Sequence, residues 1–307
     1  MDIRIRPDYR RPLGMPPGIA FHALQFAGSL QLEPTDGRCL HVVHARGRGT
    51  RLQVPAGWLT LCMPLTGCLQ FETAETCWEL PAGQLQAWRD APVRVSDHRS
   101  GAWLALAGPM AAWHRHLQFS AQVRPEMFPM RCPCSRDLRR LLVMLARSVR
   151  AGSAMQRDPA RLVEAVCTAV LEQQQDLANR VPLCSGRTLQ RRQQTMLRLL
   201  RVRHLIETSR GERPDLVRLA RSASYSPWHL IRIHRDVFGE TPSEYAARLR
   251  LLQTWALVQD TSTAICEISE ALGFESQSAF CRSFKKSFGC TTTQVRKTQR
   301  DGRSLAA

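Results

Sequence analysis

Two short segments near the end of the chain place arginine, glutamine and apolar side chains on one face of a helix. Arg and Gln present paired hydrogen-bonding groups that match base edges in the major groove of DNA. An exposed tryptophan or isoleucine beside arginines lowers solubility unless a partner covers it. The candidate DNA-contacting residues are Trp228, Ile231, Arg232 and Arg235 in the first segment, and Gln277, Ser278, Cys281, Arg282 and Lys285 in the second.

The residues that precede and oppose these faces predict how each segment folds. Ser226 stands before Pro227, and a serine cap followed by proline at the first helical position is a strong helix start. Ser276 stands at the same place in the second segment, 50 residues later. We expect both serines to cap a helix and to lie beside a DNA phosphate. The opposite faces carry Leu230, His234 and Phe238 in the first segment, and Phe280, Phe284 and Phe288 in the second.

Each segment follows a shorter helical pattern, so the sequence predicts two helix-turn-helix units. The first runs from about Leu216 to Gly239 and the second from about Ile265 to Gly289. A helix from about Ser243 to Gln259 joins them, and its length of roughly 25 Å suits the ~34 Å between successive major grooves on one face of a duplex. From composition alone, a solvated helix face is an equal alternative for either exposed set.

The charge balance favours a polyanionic partner. The 307 residues carry 43 Lys and Arg against 26 Asp and Glu, which gives a net charge of +17. Residues 187–307 hold 21 basic and 11 acidic side chains, so positive charge is densest at the C-terminal end, as nucleic-acid binding requires. The 44% hydrophobic and 22% charged residues exclude collagen-like, coiled-coil and wholly disordered classes.

The N-terminal part has the pattern of a β-sandwich or small barrel. Short apolar runs alternate with turn residues every 8 to 12 positions or so, which is typical of antiparallel sheets. The predicted strands contain residues 40–43, 59–63, 69–71, 78–80, 85–88, 93–95 and 103–107. Two amphipathic helices follow, one from Ser135 to Val149 and one from Leu162 to Leu177, and their apolar stripes favour a two-fold dimer contact.

These patterns divide the chain into four segments. We predict a sensing domain over residues 1–130, a helical dimerisation segment over 131–180, a linker over 181–189 and a DNA-binding domain over 190–300. The linker is placed by its turn composition, which includes Pro182, Ser185 and Gly186. The fold class is therefore α+β, with a β-rich N-terminal domain, a helical pair and an all-α double helix-turn-helix domain.

The C-terminal residues resemble a known family over about 100 positions. The matching run comprises Leu219-Ala220, Ser226, Leu230, Arg232, Gly239, Thr241-Pro242, Tyr245, Arg250-Leu251, Ile265-x-Glu267-Ile268, Gly273-Phe274, Ser278, Phe280, Arg282, Phe284-Lys285-Lys286, Gly289 and Arg296. It is similar to the DNA-binding domain of AraC/XylS-type bacterial transcription regulators. The resemblance implies activation more often than repression, through contact with RNA polymerase. The departures from the family pattern are His234, Thr254, Ser269 and Thr292.

The N-terminal part resembles the cupin-like effector domains of the same family only loosely, through residues 80–83. Trp58, Trp78 and Trp88 are weak candidates for effector contacts, because tryptophans in a sandwich more often form its core. Arginines at positions 38, 46 and 48 could bind an acidic ligand, with a solvated loop as the simpler explanation. The surplus of arginine over carboxylate favours a neutral or anionic effector.

No pattern predicts catalysis, a metal or a cofactor. His41 and His44 are three residues apart, which places them on opposite faces of a strand and disfavours shared metal ligation. Cys132 and Cys134 have no second ligand pair nearby, and the eleven cysteines indicate reduced thiols in a cytosolic protein. We find no apolar stretch long enough to cross a bilayer and no export signal.

The sequence thus predicts a cytoplasmic, nucleoid-associated homodimer that binds promoter DNA and is controlled by a small-molecule effector in the N-terminal domain. One alternative is a regulator that needs no effector, whose N-terminal domain only dimerises or binds a protein partner. A more remote alternative is a DNA-processing or cupin-type enzyme. We expect no enzymatic activity.

Overall fold

The N-terminal part of the chain folds as two β-sheets packed face to face. The computed structural model describes residues 18–116, 126–151, 158–209, 215–260 and 263–304. One sheet has the strand order β1-β3-β10-β5-β8-β11 and the other β2-β4-β9-β6-β7. The strands are β1 (Ile19–Leu24), β2 (Ser29–Gln31), β3 (Leu40–Arg46), β4 (Arg51–Val54), β5 (Trp58–Thr66), β6 (Cys68–Glu72), β7 (Cys77–Pro81), β8 (Gln84–Trp88), β9 (Val93–Asp97), β10 (Ala102–Pro109) and β11 (Met130–Pro133).

All seven predicted strands are confirmed, and the sandwich, rather than a closed barrel, is the architecture. Most strand pairings are antiparallel, as predicted, but β1 pairs with β3 and β2 pairs with β4 in parallel. Four strands were not predicted, namely β1, β2, β4 and β11. Strand β2 has only three residues, which is too short to display the period of two that marks a strand.

Side chains of β3 divide between two hydrophobic cores because successive residues point to opposite faces of a sheet. Val43 and Ala45 are fully buried between the two sheets. Leu40 and Val42 point to the other face of the six-stranded sheet, where they pack in a second core together with helices. This second face is the one that carries the helical segment.

Helix α1 (Met110–His114) lies between β10 and β11, and β11 is followed by α2 (Arg136–Ala151), α3 (Pro159–Gln173) and α4 (Gln175–Arg180). The predicted helical pair is confirmed as α2 and α3, with Leu177 on the separate α4. Leucines and valines of both long helices are buried in the core on the sheet's outer face, among them Leu138, Leu145 and Val166. The stripes that suggested a dimer seam are therefore covered within the same unit.

Helix α5 (Leu189–Thr208) passes from one compact unit to the next. The first unit spans Met1–Arg201 and the second Val202–Ala307. Within the first unit, the Arg201 guanidinium pairs with the Glu75 and Asp90 carboxylates at 2.7 and 3.2 Å. The division lies inside α5, beyond the predicted linker at 181–189, and the four predicted segment boundaries stay predictions.

The second unit is helical wherever it has regular structure in the described ranges. After α5 come α6 (Leu216–Ser222), α7 (Pro227–Phe238), α8 (Pro242–Asp260), α9 (Ile265–Ala271), α10 (Gln277–Phe288) and α11 (Thr292–Ser304). None of the helices described has the length and apolar character needed to cross a membrane. The order of short and long helices matches two helix-turn-helix units joined by α8.

Candidate nucleic-acid interface

The first helix-turn-helix unit consists of α6, a turn and α7, each held by a local capping contact. Asp215 caps α6 by accepting hydrogen bonds from the backbone N–H groups of Val217 and Arg218 at 2.9 and 3.2 Å. Ser226 caps α7, because its hydroxyl accepts the N–H of His229 at 3.3 Å. Helix α7 ends at Gly239, whose φ of +78° is the left-handed conformation that glycine adopts without strain.

One face of α7 is buried and the other faces solvent. Leu230, Ile233 and Val237 are at most 3% exposed, so they hold the helix on the unit. Ile233 and Val237 were missing from the predicted inner stripe. Trp228 is 68% exposed, and Arg232, Arg235 and the cap Ser226 are exposed beside it, whereas Ile231 is half-buried. The Arg232 guanidinium lies 5.8 Å from the centre of the Trp228 ring.

His234 occupies the core position between α7 and α8. Its Nδ1 lies 2.5 Å from the Glu240 carbonyl oxygen, while its buried Nε2 has no hydrogen-bond partner. The ring packs 4.9 Å from Phe238 and 6.1 Å from Tyr245. Burial lowers the pKa of His234 to about 4, so the imidazole is neutral at pH 7.

The second helix-turn-helix unit consists of α9, a turn and α10, and α10 is capped in the same way as α7. Ser276 accepts the backbone N–H of Ala279 at 3.2 Å, and Gly289 ends the helix with a φ of +71°. Phe280 and Phe284 are nearly fully buried. The ring of Trp255, on α8, stacks on Phe284 with 5.9 Å between centroids. A core of aromatic rings together with Val258, Ile268 and Val295 therefore holds α10 on the unit.

The outer face of α10 is polar and positive. Gln277, Ser278, Arg282 and Lys285 are exposed, as is the cap Ser276. Cys281 is half-buried and packs against the aromatic core, with its Sγ 3.9 Å from the Thr292 hydroxyl oxygen. Ile231 of α7 is half-buried at the equivalent helix position. The DNA-contacting roles of all nine predicted residues stay predictions.

Helix α8 joins the two units and begins with a reciprocal cap. The backbone N–H of Thr241 donates to the Glu244 carboxylate at 2.7 Å, and the Glu244 N–H donates to the Thr241 hydroxyl at 3.2 Å. Thr291 and Gln294 form the same box before α11, at 2.8 and 3.2 Å. With 19 residues, α8 is about 28 Å long, slightly longer than predicted.

Electrostatic pairing differs between α7 and α10. On α7, Arg235 pairs with Glu244 at 3.2 Å, and Arg232 lies 3.9 Å from Asp236. Helix α10 contains no acidic residue, and within residues 215–260 and 263–304 none of its three cations forms an ion pair. The third cation is Lys286, which is exposed and was not among the predicted contacts. Its position directly after Lys285 was the available signal.

Two of the departures from the family pattern, Thr254 and Ser269, satisfy their hydrogen bonds locally. The hydroxyl of Thr254 donates to the Arg250 carbonyl at 2.7 Å, and that of Ser269 donates to the Cys266 carbonyl at 2.7 Å. Each hydroxyl thereby uses a carbonyl of its own helix, which avoids the cost of an unpaired buried group. Thr292 is 4% exposed and packs at the start of α11.

The N-terminal candidates lie in the core of the sandwich. Trp58, Trp78 and Trp88 are between 4% and 8% exposed and belong to the core between the sheets. The Trp88 indole N–H donates to the Ala91 carbonyl at 2.8 Å. These positions agree with a core role, and effector contact by the three tryptophans stays a prediction.

Histidines and cysteines are dispersed in the described part of the chain, where no group of three or more His, Cys, Asp or Glu could hold a metal ion. His41 contacts His22 instead, with 3.0 Å between Nδ1 and Nε2. The Sγ of Cys132 donates to the Gln173 side chain at 3.2 Å, and burial raises the pKa of the Cys134 thiol to about 11. These groups are packed side chains with partners of their own.

The match to a known family lies in the C-terminal compact unit, Val202–Ala307, and spans both helix-turn-helix units. A family model described as a helix-turn-helix domain matches residues 219–298. The chain is similar to "Probable transcription factor PqrA" of Proteus vulgaris, with 36% identity over 91 residues that cover 30% of this chain and 75% of PqrA. It is also similar to the "Right origin-binding protein" of Escherichia coli (strain K12), with 35% identity over 84 residues.

The extent of these likenesses is limited. The second match covers 27% of this chain and 29% of the Escherichia coli protein, so the remainder of that protein has no counterpart in the alignment. Among solved structures, a regulator with an AraC-type DNA-binding domain from Chromobacterium violaceum is 28% identical, with a TM-score of 0.30, and the match covers 33% of this chain and 91% of that one.

Proposed function

Because the chain belongs to the AraC/XylS family of helix-turn-helix transcriptional regulators, which are not enzymes, we propose that it binds promoter DNA with α7 and α10 in two adjacent major grooves. In this proposal Trp228, Ile231, Arg232 and Arg235 contact one groove. Base edges in the other are contacted by Gln277, Ser278, Cys281, Arg282 and Lys285. The capping serines Ser226 and Ser276 lie beside the phosphates.

The observation that carries the proposal is the repetition of one geometry within a single unit. Helices α7 and α10 each have a buried apolar face and an opposite face that carries cations. On both helices a cation lies six residues after the capping serine, namely Arg232 after Ser226 and Arg282 after Ser276. A helix of about 28 Å separates them, close to the ~34 Å groove repeat. Arginine in that position suits bidentate bonding to guanine.

The test is genome-wide mapping of sites bound by the full-length protein, followed by affinity measurements on one mapped site. Exchange of Arg232 and Arg282 for glutamine should abolish enrichment at those sites, whereas exchange of the exposed Arg147 on α2 should leave it intact. Affinity should fall steeply with salt, as expected for roughly 6 to 10 neutralised phosphates. A flat salt dependence would contradict the proposal.

We further propose that a small-molecule effector bound in the cupin-like N-terminal unit controls DNA affinity. A ligand can shift an equilibrium between two arrangements only by the difference in its affinity for them, typically about 1 to 3 kcal/mol. The alternative is an effector-independent regulator whose N-terminal unit binds a protein partner or dimerises. Binding of metabolites without any change in promoter affinity would favour that alternative.

Activation and dimerisation are also proposed. The family resemblance implies contact with RNA polymerase, and deletion of the gene should therefore lower transcription from a bound promoter. Since most stripe residues of α2 are buried, the half-buried Leu141 and Val143 are the candidates for a homodimer contact. Sedimentation should show a dimer at micromolar concentration, and Leu141→Asp should shift it to a monomer.

A further inference from the structure

A cavity of about 400 Å³ opens at one end of the six-stranded sheet, outside the sandwich core. Its lining includes Ala23 near the end of β1, Phe26 just after that strand, His44 and Arg46 on β3, and Arg150 at the end of α2. All of these residues belong to the first compact unit. Cavities of 300 to 1,000 Å³ or so with an apolar wall and a few convergent polar groups are typical ligand sites.

The cavity forms where helix α2 ends over the sheet. Alternation along β3 puts Leu40, Val42, His44 and Arg46 on one face. The first two are covered by the helical core, whereas His44 is half-buried and Arg46 is exposed. Arg150, in the last turn of α2, reaches the same place. The face of β3 thus changes from apolar to cationic at the end of the covering helix.

The turn that carries Phe26 is fixed against the loop that connects β3 to β4. The N–H of Ala27 donates to the Arg48 carbonyl at 2.9 Å, and the N–H of Gly28 donates to the Gln25 carbonyl at 2.7 Å. Gly47 has a φ of +99°, and a Cβ there would lie 3.4 Å from the Phe26 nitrogen. Phe26 is held in this position with 76% of its surface exposed.

Charge in the cavity is all of one sign. The charged residues of the lining are Arg46 and Arg150, and burial, Arg150 and Arg46, in that order, lower the pKa of His44, which favours its neutral form. In the part of the chain that the structure describes, neither arginine forms an ion pair. Water can satisfy the hydrogen bonds of a single exposed arginine. Two guanidinium groups that line one cavity can together bind the oxygens of a carboxylate or a phosphate.

We propose that this cavity, the Arg46–Arg150 cavity, binds a small organic anion. A carboxylate or phosphate head lies between the two guanidinium groups and accepts a hydrogen bond from His44, while an apolar body packs on Phe26 and on Ala23, which pairs with His44 in the sheet. The inference rests on the effector control proposed above and supplies its ligand class. The site lies on the outer face of the sheet, away from Trp58, Trp78 and Trp88.

The experiment titrates the full-length protein by calorimetry with probes that differ in one group. Phenylbutanoate and phenylbutyl phosphate carry the same body with different heads, and phenylbutanol and phenylbutylammonium are the neutral and cationic counterparts. Both anions should bind, and the tighter one identifies the preferred head group. Acetate should bind at least about tenfold more weakly, because it lacks the apolar body.

Variants of the lining residues test whether the heat of binding measured by calorimetry comes from the cavity. Arg46→Gln combined with Arg150→Gln should weaken phenylbutanoate by about tenfold or more, and Phe26→Ser should weaken phenylbutanoate without affecting acetate. Arg51→Gln, an exposed arginine on β4, is the matched control and should change nothing. Equal affinity for phenylbutanol and phenylbutanoate, or unchanged binding in the double variant, would overturn the proposal.

Promoter affinity, measured in parallel, separates this inference from the proposed function. If the wild-type protein binds its promoter but neither anion, only the cavity proposal is wrong. If the anions bind and the double variant loses them while promoter affinity stays constant, the anion site stands and effector control is wrong.

Discussion

The two helix-turn-helix units share one backbone plan and differ in what surrounds the recognition helix. In the first, Glu244 closes the cap of α8 and also pairs with Arg235. In the second, Gln294 closes the corresponding cap, and an amide cannot neutralise Lys285. This acid-for-amide difference adds to the effect of Asp236 on α7 and of the third cation, Lys286, on α10, so that α10 carries more unpaired positive charge than α7.

The cores of the two helix-turn-helix units also differ in polarity. The first places a neutral histidine, with one unpaired nitrogen, where the second places Phe284. A buried polar atom without a partner costs free energy that an aromatic hydrocarbon does not. The first unit is thus expected to be the less stable and more pH-sensitive of the two, and the second the stronger electrostatic anchor.

The largest effect should come from the aromatic core. Phe284→Ala should lower the free energy of unfolding of the second unit by about 3 to 5 kcal/mol, because it removes a fully buried ring from close packing. Hydrogen exchange across α10 measures the loss. Exchange of the exposed Ser287 for alanine is the control, and an unchanged protection of α10 in Phe284→Ala would contradict the packing described above.

Acid should destabilise the first unit more than the second. The pKa of His234 is about 4 in the folded chain against 6.5 for a free histidine, so the unfolded state binds more protons as pH falls from about 6.5. Stability is full above that pH and is lost progressively towards pH 4, by up to about 3 kcal/mol. Protection of α7 amides against hydrogen exchange reports this loss.

His234→Phe should remove that pH dependence, since it copies the residue of the second unit. His229→Gln removes a less buried histidine from the same helix and serves as the matched control. If α7 in His234→Phe remained as acid-sensitive as in the wild type, another group would be responsible and the comparison of the two cores would fail.

Loss of an unpaired cation should weaken DNA binding more than loss of a paired one. Arg282→Ala should cost about 1 to 3 kcal/mol on a specific site and relax the preference at one base position. Arg232→Ala should cost less, because Asp236 already lies 3.9 Å from that guanidinium. Competition binding against single-base variants of the site distinguishes the two, and a uniform loss on all sequences would make Arg282 a phosphate contact.

The smallest effect should come from Glu244→Gln, which gives the first unit the cap of the second. Arg235 is then free to meet phosphate, and DNA affinity at low salt should rise about twofold, the scale of an exposed ion pair. The gain should vanish at high salt because exposed charges are screened. Thr241→Ala, which weakens the cap but keeps the carboxylate, should not increase affinity.

Local signals account for how well the C-terminal compact unit, Val202–Ala307, could be predicted from sequence. Ser226 with Pro227 and Ser276 mark helix starts, and Gly239 and Gly289 mark their ends through conformations that involve only neighbouring residues. Helices α7 and α10 therefore lie where the caps predicted. The pairing of Arg235 with Glu244 was not foreseen, because it depends on how the chain turns between α7 and α8.

Long-range arrangements account for most of what was not predicted. Strands β1 and β2 gain their order from parallel pairing with distant strands, which leaves little trace in a short segment. The burial of the α2 stripe within the monomer depended on the sheet face it covers. The presence of Arg46 and Arg150 in the lining of one cavity, although they are more than a hundred positions apart, depended on where α2 ends over that face.

Helix α8 has a consequence for the kind of operator this chain can recognise. A dimer of identical helix-turn-helix proteins requires a palindrome, because the same helix meets both half-sites. In the proposed binding mode two unlike helices, α7 and α10, are covalently joined in a fixed order, so one molecule would distinguish the two directions along a duplex. Inverting its binding site would therefore reverse the orientation of the bound protein with respect to the start of transcription.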